Sequence, residues 1–187
     1  MSLIGKKVSE FIAEAYHNGE FKQVTSKQLE GNWSVFFFYP ADFTFVCPTE
    51  LADLGNYYPE FQKIGCEIYS VSTDTHFTHK AWHDTSETIG KLQFPMLGDP
   101  TGNLAKDFDA YIDSLGLAER GTYVVNPEGK IVSYEVTSGN VGRNAKDLLR
   151  RVKALQFVHI HGDKVCPAGW EEDDEPMTPS FDLVGKI

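Results

Sequence analysis

The chain of 187 residues is long enough for one domain with a full hydrophobic core and an appendage. Hydrophobic residues at 41% and charged residues at 24% give the balance of a soluble globular protein. A formal net charge of −10 argues against nucleic acid or an anionic membrane as partner, because phosphate binding needs clustered Lys and Arg.

The first 31 residues are mixed and polar. Asn18-Gly19 is a hairpin signal, with Glu20 to Thr25 as the returning strand. Nothing near residues 1 to 10 has the apolar stretch of a secretory signal, and no run approaches the roughly 18 apolar residues of a membrane span, so a cytoplasmic protein is expected. Ser34 to Tyr39 is the most apolar segment and predicts a buried central strand. Pro48 is placed to be the first residue of a helix, and Leu51, Leu54, Tyr58, Phe61 and Ile64 continue it at helical spacing until Gly65 closes it. Cys66 to Thr73 predicts a second strand and Thr75 to Ile89 a second helix. Asp99-Pro-Thr-Gly102 is a turn, followed by a short helix on Leu104, Phe108 and Tyr111. Thr122 to Val125 and Ile131 to Val136 predict two strands joined by the turn Asn126-Pro-Glu-Gly129. Leu148, Leu149, Val152, Leu155 and Val158 mark the last amphipathic helix. Beyond His161 the chain is rich in Gly and Pro with an acidic run from Glu171 to Glu175, the composition of an extended arm. This order predicts an α/β or α+β sheet with helices on both faces, and it is compatible with a thioredoxin-like fold without singling it out.

Three cysteines occur, Cys47, Cys66 and Cys166, with no Cys-x-x-Cys, so neither a zinc ribbon nor a vicinal dithiol is available. Pro40, Thr44 and Cys47 form the spacing P-x-x-x-T-x-x-C directly after the apolar strand. A thiol at a helix N-terminus, or beside a cation, ionises more readily than a free one. Backbone N–H groups of the opening turn and the Thr44 hydroxyl are candidate donors to the sulfur, whereas Glu50 is anionic and opposes a thiolate. A cation is therefore required, and Arg120, immediately before a predicted strand, is the first candidate, with Arg143, at the start of the last helix, the second. On these residues alone a buried, inert core thiol stays open beside a reactive one.

The string Phe37-Phe-Tyr-Pro-Ala-Asp-Phe-Thr-Phe-Val-Cys-Pro-Thr-Glu50 resembles the peroxidatic motif of typical two-cysteine peroxiredoxins, in particular the peroxidase subunit of bacterial alkyl hydroperoxide reductases. The stretches Ser70 to His76, His79 to Trp82, Gly98 to Gly102, Arg120-Gly-Thr122 and Val165 to Trp170 extend the likeness over almost the whole chain, although Lys164 stands where relatives often carry a glutamate. The resemblance implies a thioredoxin-like α/β fold with a central mixed β-sheet, flanking helices, an N-terminal hairpin and an extended C-terminal arm, divided as a domain over 2–157 and an arm over 158–187. Cys47 would be the peroxidatic cysteine, shielded by Pro40, with Thr44 and Arg120 orienting the peroxide and Glu50 and Arg143 in support. Cys166 would be the resolving cysteine, forming a Cys47–Cys166 disulfide between subunits. Phe43, Phe45, Thr78 and Trp82 would lie where dimers meet in a decamer. The implied activity is reduction of hydrogen peroxide, organic hydroperoxides and peroxynitrite, with no metal, haem or flavin bound, and with recycling by an NADH-linked flavoprotein disulfide reductase or by thioredoxin. The Gly-Gly-Leu-Gly insertion and C-terminal Tyr-Phe helix of peroxide-sensitive relatives are absent, so disulfide formation is expected to outpace overoxidation to sulfinic acid.

Other signals are weaker. His76, His79 and His83 fall at i, i+3 and i+7, a spacing that admits a metal site but better fits solvent-facing or interface histidines, since no paired His-Glu motif supports ligation. His159 and His161 flank a single residue at the end of the last predicted helix. Cys66 matches no catalytic position and is expected in the core. The competing classes are a protein disulfide oxidoreductase, which lacks its dithiol, a Cys–His hydrolase, which lacks an indicated base, and an oligomeric holdase chaperone or redox-signalling protein.

Overall fold

The computed structural model describes residues 2–186, so the last residue of the expected arm lies outside them. The N-terminal hairpin pairs β1 (Ile12–His17) with β2 (Glu20–Thr25), and its two turn residues, Asn18 and Gly19, have φ of 51° and 86°. Two successive left-handed residues give the turn whose twist matches a hairpin. β3 (Trp33–Phe38), β4 (Cys66–Ser72) and the three-residue β5 (Met96–Gly98) run parallel at the centre of the sheet. β8 (Arg120–Val125) and β9 (Ile131–Thr137) add antiparallel strands on one side, and the hairpin adds them on the other. The order is β2-β1-β5-β4-β3-β8-β9, a mixed seven-stranded sheet. The thioredoxin-like expectation holds.

Residues 34–38 of β3 are all buried, which is why that strand reads as an unbroken apolar run rather than an alternating one. Its pleat still divides the side chains. Phe36 and Phe38 enter the main core, where they pack on Phe108 at 4.8 and 5.2 Å between centroids. Phe37 points to the opposite face, where the Arg143 guanidinium lies 3.5 Å over its ring.

α1 (Cys47–Lys63) follows β3, α2 (His76–Thr85) follows β4, α3 (Asn103–Asp107) follows β5, and α4 spans Ala145–Ile160. α1 begins one residue earlier than Pro48 predicts, so that Cys47 is itself the first helical residue. α2 stops at Thr85 instead of running to Ile89. Ser86 is extended and its hydroxyl accepts the Ile89 N–H at 3.2 Å, a side-chain bond that competes with the helix. The short helix ends at Asp107, because Asp109 turns left-handed with φ of 50° and Tyr111 joins a small hairpin, β6 (Tyr111–Ile112) with β7 (Leu117–Ala118). Arg120 stands inside β8 rather than before it, and Arg143 precedes α4 by two residues.

The chain gathers into two compact units, one ending at Ala145 and one beginning at Lys146, so that nearly all of α4 groups with the arm. In this second unit Val165 and Met177 exchange backbone hydrogen bonds at 2.9 and 3.0 Å, and Trp170 is buried against Phe157 with ring centroids 5.0 Å apart. Among the described residues no helix is long and apolar enough to cross a membrane.

Candidate active site

The loop between β3 and α1 is tied down before it reaches Cys47. Tyr39 N–H donates to the Val71 carbonyl at 3.0 Å, and its buried hydroxyl donates to Asp42 Oδ1 at 2.7 Å. Asp42 Oδ2 faces His79 Nδ1 at 2.8 Å, and His79 Nε2 donates to the Leu97 carbonyl at 3.0 Å. The side chains of Asp42 and His79 are fully buried. The Asp42 N–H donates to Asp74 Oδ2 at 2.8 Å, where Ser72 Oγ also donates at 2.8 Å. The loop is thus fastened to α2 and to the ends of β4 and β5. His79 is neither solvent-facing nor at a surface, contrary to its sequence reading, because the inner face of α2 that carries it also carries the buried Trp82. His76 packs against Phe21 and Phe77, and His83 against Tyr16.

Cys47 is fully buried, and its Sγ accepts a hydrogen bond from Arg120 Nη1 at 3.3 Å. The same nitrogen donates to Glu50 Oε2 at 2.6 Å, and Arg120 Nε donates to the Gly139 carbonyl at 2.7 Å. Arg143 grips Glu50 from the other side, with its backbone N–H at 3.0 Å and Nε at 2.8 Å on Oε1, and Nη2 at 3.2 Å on Oε2. Its Nη1 donates to the Gly121 carbonyl and to Thr122 Oγ1 at 2.9 and 3.1 Å. The side chains of Glu50, Arg120 and Arg143 are 1%, 5% and 3% exposed, so the group is dry and its charges act at short range with little screening. Glu50 therefore does not confront the sulfur as an unpaired anion. Both its oxygens are consumed by guanidinium groups, and one positive charge is left over beside Cys47.

Burial pulls the Arg120 guanidinium down, but the Cys47 sulfur and the Glu50 carboxylate outweigh it and hold the group above its ordinary value. Arg143 is shifted the other way, because its burial outweighs the pull of Glu50. The helix amides contribute less than the sequence suggests. Pro48 has no N–H to give, and the N–H groups of Thr49 and Glu50 donate to the Val46 carbonyl at 3.0 and 3.2 Å. The sulfur takes its hydrogen bond from the guanidinium instead.

Pro40 is half-buried at the start of the loop, and Thr44 Oγ1 donates to the Ala41 carbonyl at 2.9 Å. Phe43 and Phe45 are exposed. Trp82 is buried beneath Phe43, with ring centroids 5.8 Å apart, and the Thr78 N–H donates to Thr75 Oγ1 at 3.2 Å. Cys66 is buried in β4, and that burial, with Glu67 adding to it, pushes its thiol up, as befits a core residue. Cys166, in the second unit, is half-buried, with Sγ 3.9 Å from the Ala154 carbonyl, and burial pushes its thiol up from the ordinary value. All three cysteines are free thiols. Sequence reasoning gave no role to Asp42 or Asp74, although both lie within the strings that carry the family likeness.

A sheet of this kind, presenting a buried thiol to a guanidinium at a helix start, is built for thiol chemistry. The AhpC/TSA family model matches residues 4–134. Alkyl hydroperoxide reductase C of Salmonella typhimurium is 58% identical over 187 residues, with 100% of both chains covered. The crystal structure of Enterococcus faecalis AhpC superposes with a TM-score of 0.87 at 53% identity, covering 89% of this chain and 100% of that one. The reduced 2-Cys peroxiredoxin of Plasmodium vivax does so with a TM-score of 0.92 at 30% identity, covering 97% and 96%. The chain belongs to the AhpC/TSA family.

Proposed function

We propose that this thiol-dependent peroxidase reduces hydrogen peroxide and organic hydroperoxides at Cys47, with Cys166 as the resolving residue. The Cys47 thiolate attacks one peroxide oxygen and the O–O bond breaks. The other oxygen leaves with the electron pair and takes up a proton, giving water or an alcohol, while Cys47 becomes a sulfenic acid. The thiol of Cys166 from a second subunit then attacks that sulfur, an S–S bond forms, and water leaves with the thiol proton. Two electrons have then passed from two thiols to the peroxide, and an external dithiol must return them. A flavoprotein disulfide reductase drawing on NADH is the donor proposed here, with thioredoxin as the other candidate.

The single observation that carries this reading is the 3.3 Å contact from Arg120 Nη1 to a fully buried Cys47 sulfur. A fixed donor of positive charge stabilises the thiolate, and it stabilises the oxygen on which charge grows in the transition state. Glu50 and Arg143 hold that donor in place. The Thr44 hydroxyl spends its proton on Ala41, so its oxygen is free to accept one from the peroxide. Pro40 shields the sulfur from water. The peroxidatic chemistry is assigned to residues 2–157 and resolution to the arm over 158–187, in a cytoplasmic dimer that assembles into a decamer through Phe43, Phe45, Thr78 and Trp82.

Comparison of wild type, Cys47→Ser and Cys166→Ser tests the assignment. Cys47→Ser should lose rapid peroxide reduction, and both variants should lose the intersubunit disulfide on nonreducing gels. Rapid peroxide reduction by Cys47→Ser would exclude it.

A further inference from the structure

Both cysteines with a redox role stand directly before a proline, in Val46-Cys-Pro48 and again in Val165-Cys-Pro167. Cys66, the core thiol, is followed by Glu67. With 9 prolines among 187 residues, a proline after both reactive sulfurs and not after the inert one has a physical reason. Starting a helix is not enough. Proline is accepted in a first helical turn because the N–H it lacks has no partner there. That accounts for Pro48 but not for Pro167, since Cys166 lies in irregular chain beyond α4.

The chemistry of a sulfenic acid covers both. It condenses with a thiol to give a disulfide, or with a backbone nitrogen to give a sulfenamide. The nitrogen best placed beside any cysteine is that of the next residue, which closes a small ring through Sγ, Cβ, Cα and the carbonyl carbon. Groups of one chain react without the entropy loss of bringing two molecules together, an advantage that a thiol of a second subunit lacks. Cys47 is fully buried with Arg120 Nη1 at its sulfur, so its sulfenic acid must wait for that second thiol. Capture by its own backbone is the competing route.

The start of α1 shuts that route. The Pro48 nitrogen is closed into the pyrrolidine ring and has no proton to lose. The next two nitrogens are engaged elsewhere, because the Thr49 and Glu50 N–H groups donate to the Val46 carbonyl at 3.0 and 3.2 Å. Neither can turn to the sulfur without opening the first turn of the helix.

We propose that Pro48 sets the fate of the Cys47 sulfenic acid by closing the sulfenamide route, which keeps the oxidised sulfur available to a thiol. This rests on the reading of Cys47 as the peroxidatic residue. In the excluded step an S–N bond would form, the S–O and N–H bonds would break, and water would leave. The sulfur would keep its oxidation level, and a thiol could still reopen the ring. Until then the ring would hide the sulfur from the resolving thiol and from a second peroxide alike. Proline at 48 therefore favours the disulfide and also leaves the sulfenic acid open to further oxidation.

Intact-mass spectrometry of the full chain after about one equivalent of hydrogen peroxide tests this. Cys166→Ser, which removes the competing thiol, is compared with Cys166→Ser/Pro48→Ala and Cys166→Ser/Pro48→Ser. Two replacements are used so that the failure of one to fold does not decide the result. In the Pro48 variants the main product should lie about 2 Da below the thiol, return to it with dithiothreitol, and leave Cys66 open to alkylation after unfolding. That last readout separates a sulfenamide from a Cys47–Cys66 disulfide of equal mass. With Pro48 in place the product should lie about 16 Da above the thiol, passing to about 32 Da as peroxide is raised. The sulfinic fraction at a given peroxide dose should be at least about fivefold lower in the variants. Oxygen gain without the lighter product in both variants would overturn the role of Pro48 alone, as would the lighter product in Cys166→Ser itself. A Cys166→Ser protein that gains no oxygen at Cys47 would overturn the peroxidatic assignment together with it.

Discussion

Glu50 is the residue on which the site turns, although it is the one charge that opposes a thiolate. Its two oxygens accept four hydrogen bonds at 2.6 to 3.2 Å, from Arg120 and Arg143, and nothing else in the group could orient two guanidinium planes at once. Arg120 then has one nitrogen to share with Cys47 and another fixed on the Gly139 carbonyl. Glu50→Gln keeps the shape and removes the charge, leaving two buried guanidinium groups without the carboxylate that pairs with both. Breaking a buried ion pair by removing one partner costs about 3–5 kcal/mol, and a loss of that order should appear in the urea midpoint. First-turnover peroxide reduction should fall at the same time, because Arg120 loses its aim on the sulfur. A Glu50→Gln protein with wild-type stability and wild-type first turnover would show that the carboxylate orients nothing. Both arginines were legible from the sequence only as cations at the ends of predicted elements. That Glu50 binds them together was not legible, because residues 50, 120 and 143 meet through the register of β8 and the loop before α4, which no local pattern encodes.

At the scale of elements, the tightest constraint lies at the end of β5, where Gly98 faces the segment leading into α2. A Cβ at Gly98 would sit 2.8 Å from His76 N and 2.9 Å from the Asp74 carbonyl oxygen, both backbone atoms that cannot swing aside. Gly98→Ala should therefore push residues 74–76 outward, and with them the Asp74 carboxylate that holds the Asp42 N–H. Overpacking of this kind costs about 1–3 kcal/mol, readable as a lowered melting temperature. Peroxide reduction should slow as well, since the loop that Asp42 anchors leads into Cys47. Unchanged melting and activity would mean that β5 and α2 can separate freely. The same region explains where the sequence was and was not readable. β1, β2, β3 and α1 announced themselves through a turn dipeptide, a six-residue apolar run and a long helical period. Three-residue β5 is too short to carry a period of two, and its place at the sheet centre is fixed by pairing with β1 and β4. His79 was misread for a related reason. Spacing places 76, 79 and 83 along one side of a helix but does not say which of them the sheet covers, and only His79 sits over Leu97 and Asp42.

At the scale of the whole molecule, the loop that anchors Cys47 also presents two exposed phenylalanines. Phe45 is 93% exposed and Phe43 57%, and Phe43 holds a left-handed backbone with φ of 55°, a conformation that costs a non-glycine residue about 1–3 kcal/mol. Strain of that size on a phenylalanine that packs on Trp82 with one side and leaves the other exposed is consistent with a surface that another copy covers. Cys47 lies two residues beyond Phe45, so anything that clamps the phenylalanines also clamps the approach to the sulfur, and anything that moves the sulfur loosens the clamp. Coupling of this kind is reciprocal: if assembly holds the reduced loop, disulfide formation must weaken assembly by the same factor. Against assembly stands charge, because each added chain brings −10. Salt screens that repulsion and leaves the apolar contact intact, so higher ionic strength should favour the larger species. Sedimentation of the reduced protein at micromolar concentration should then give a decamer that strengthens with salt and dissociates toward dimers after peroxide treatment. Phe45→Glu, which places a charge in the covered patch, should give dimers in both redox states with the Cys47–Arg120 contact undisturbed. Reduced wild type that sediments only as a dimer at every salt concentration would refute the decamer and leave the exposed phenylalanines without that partner.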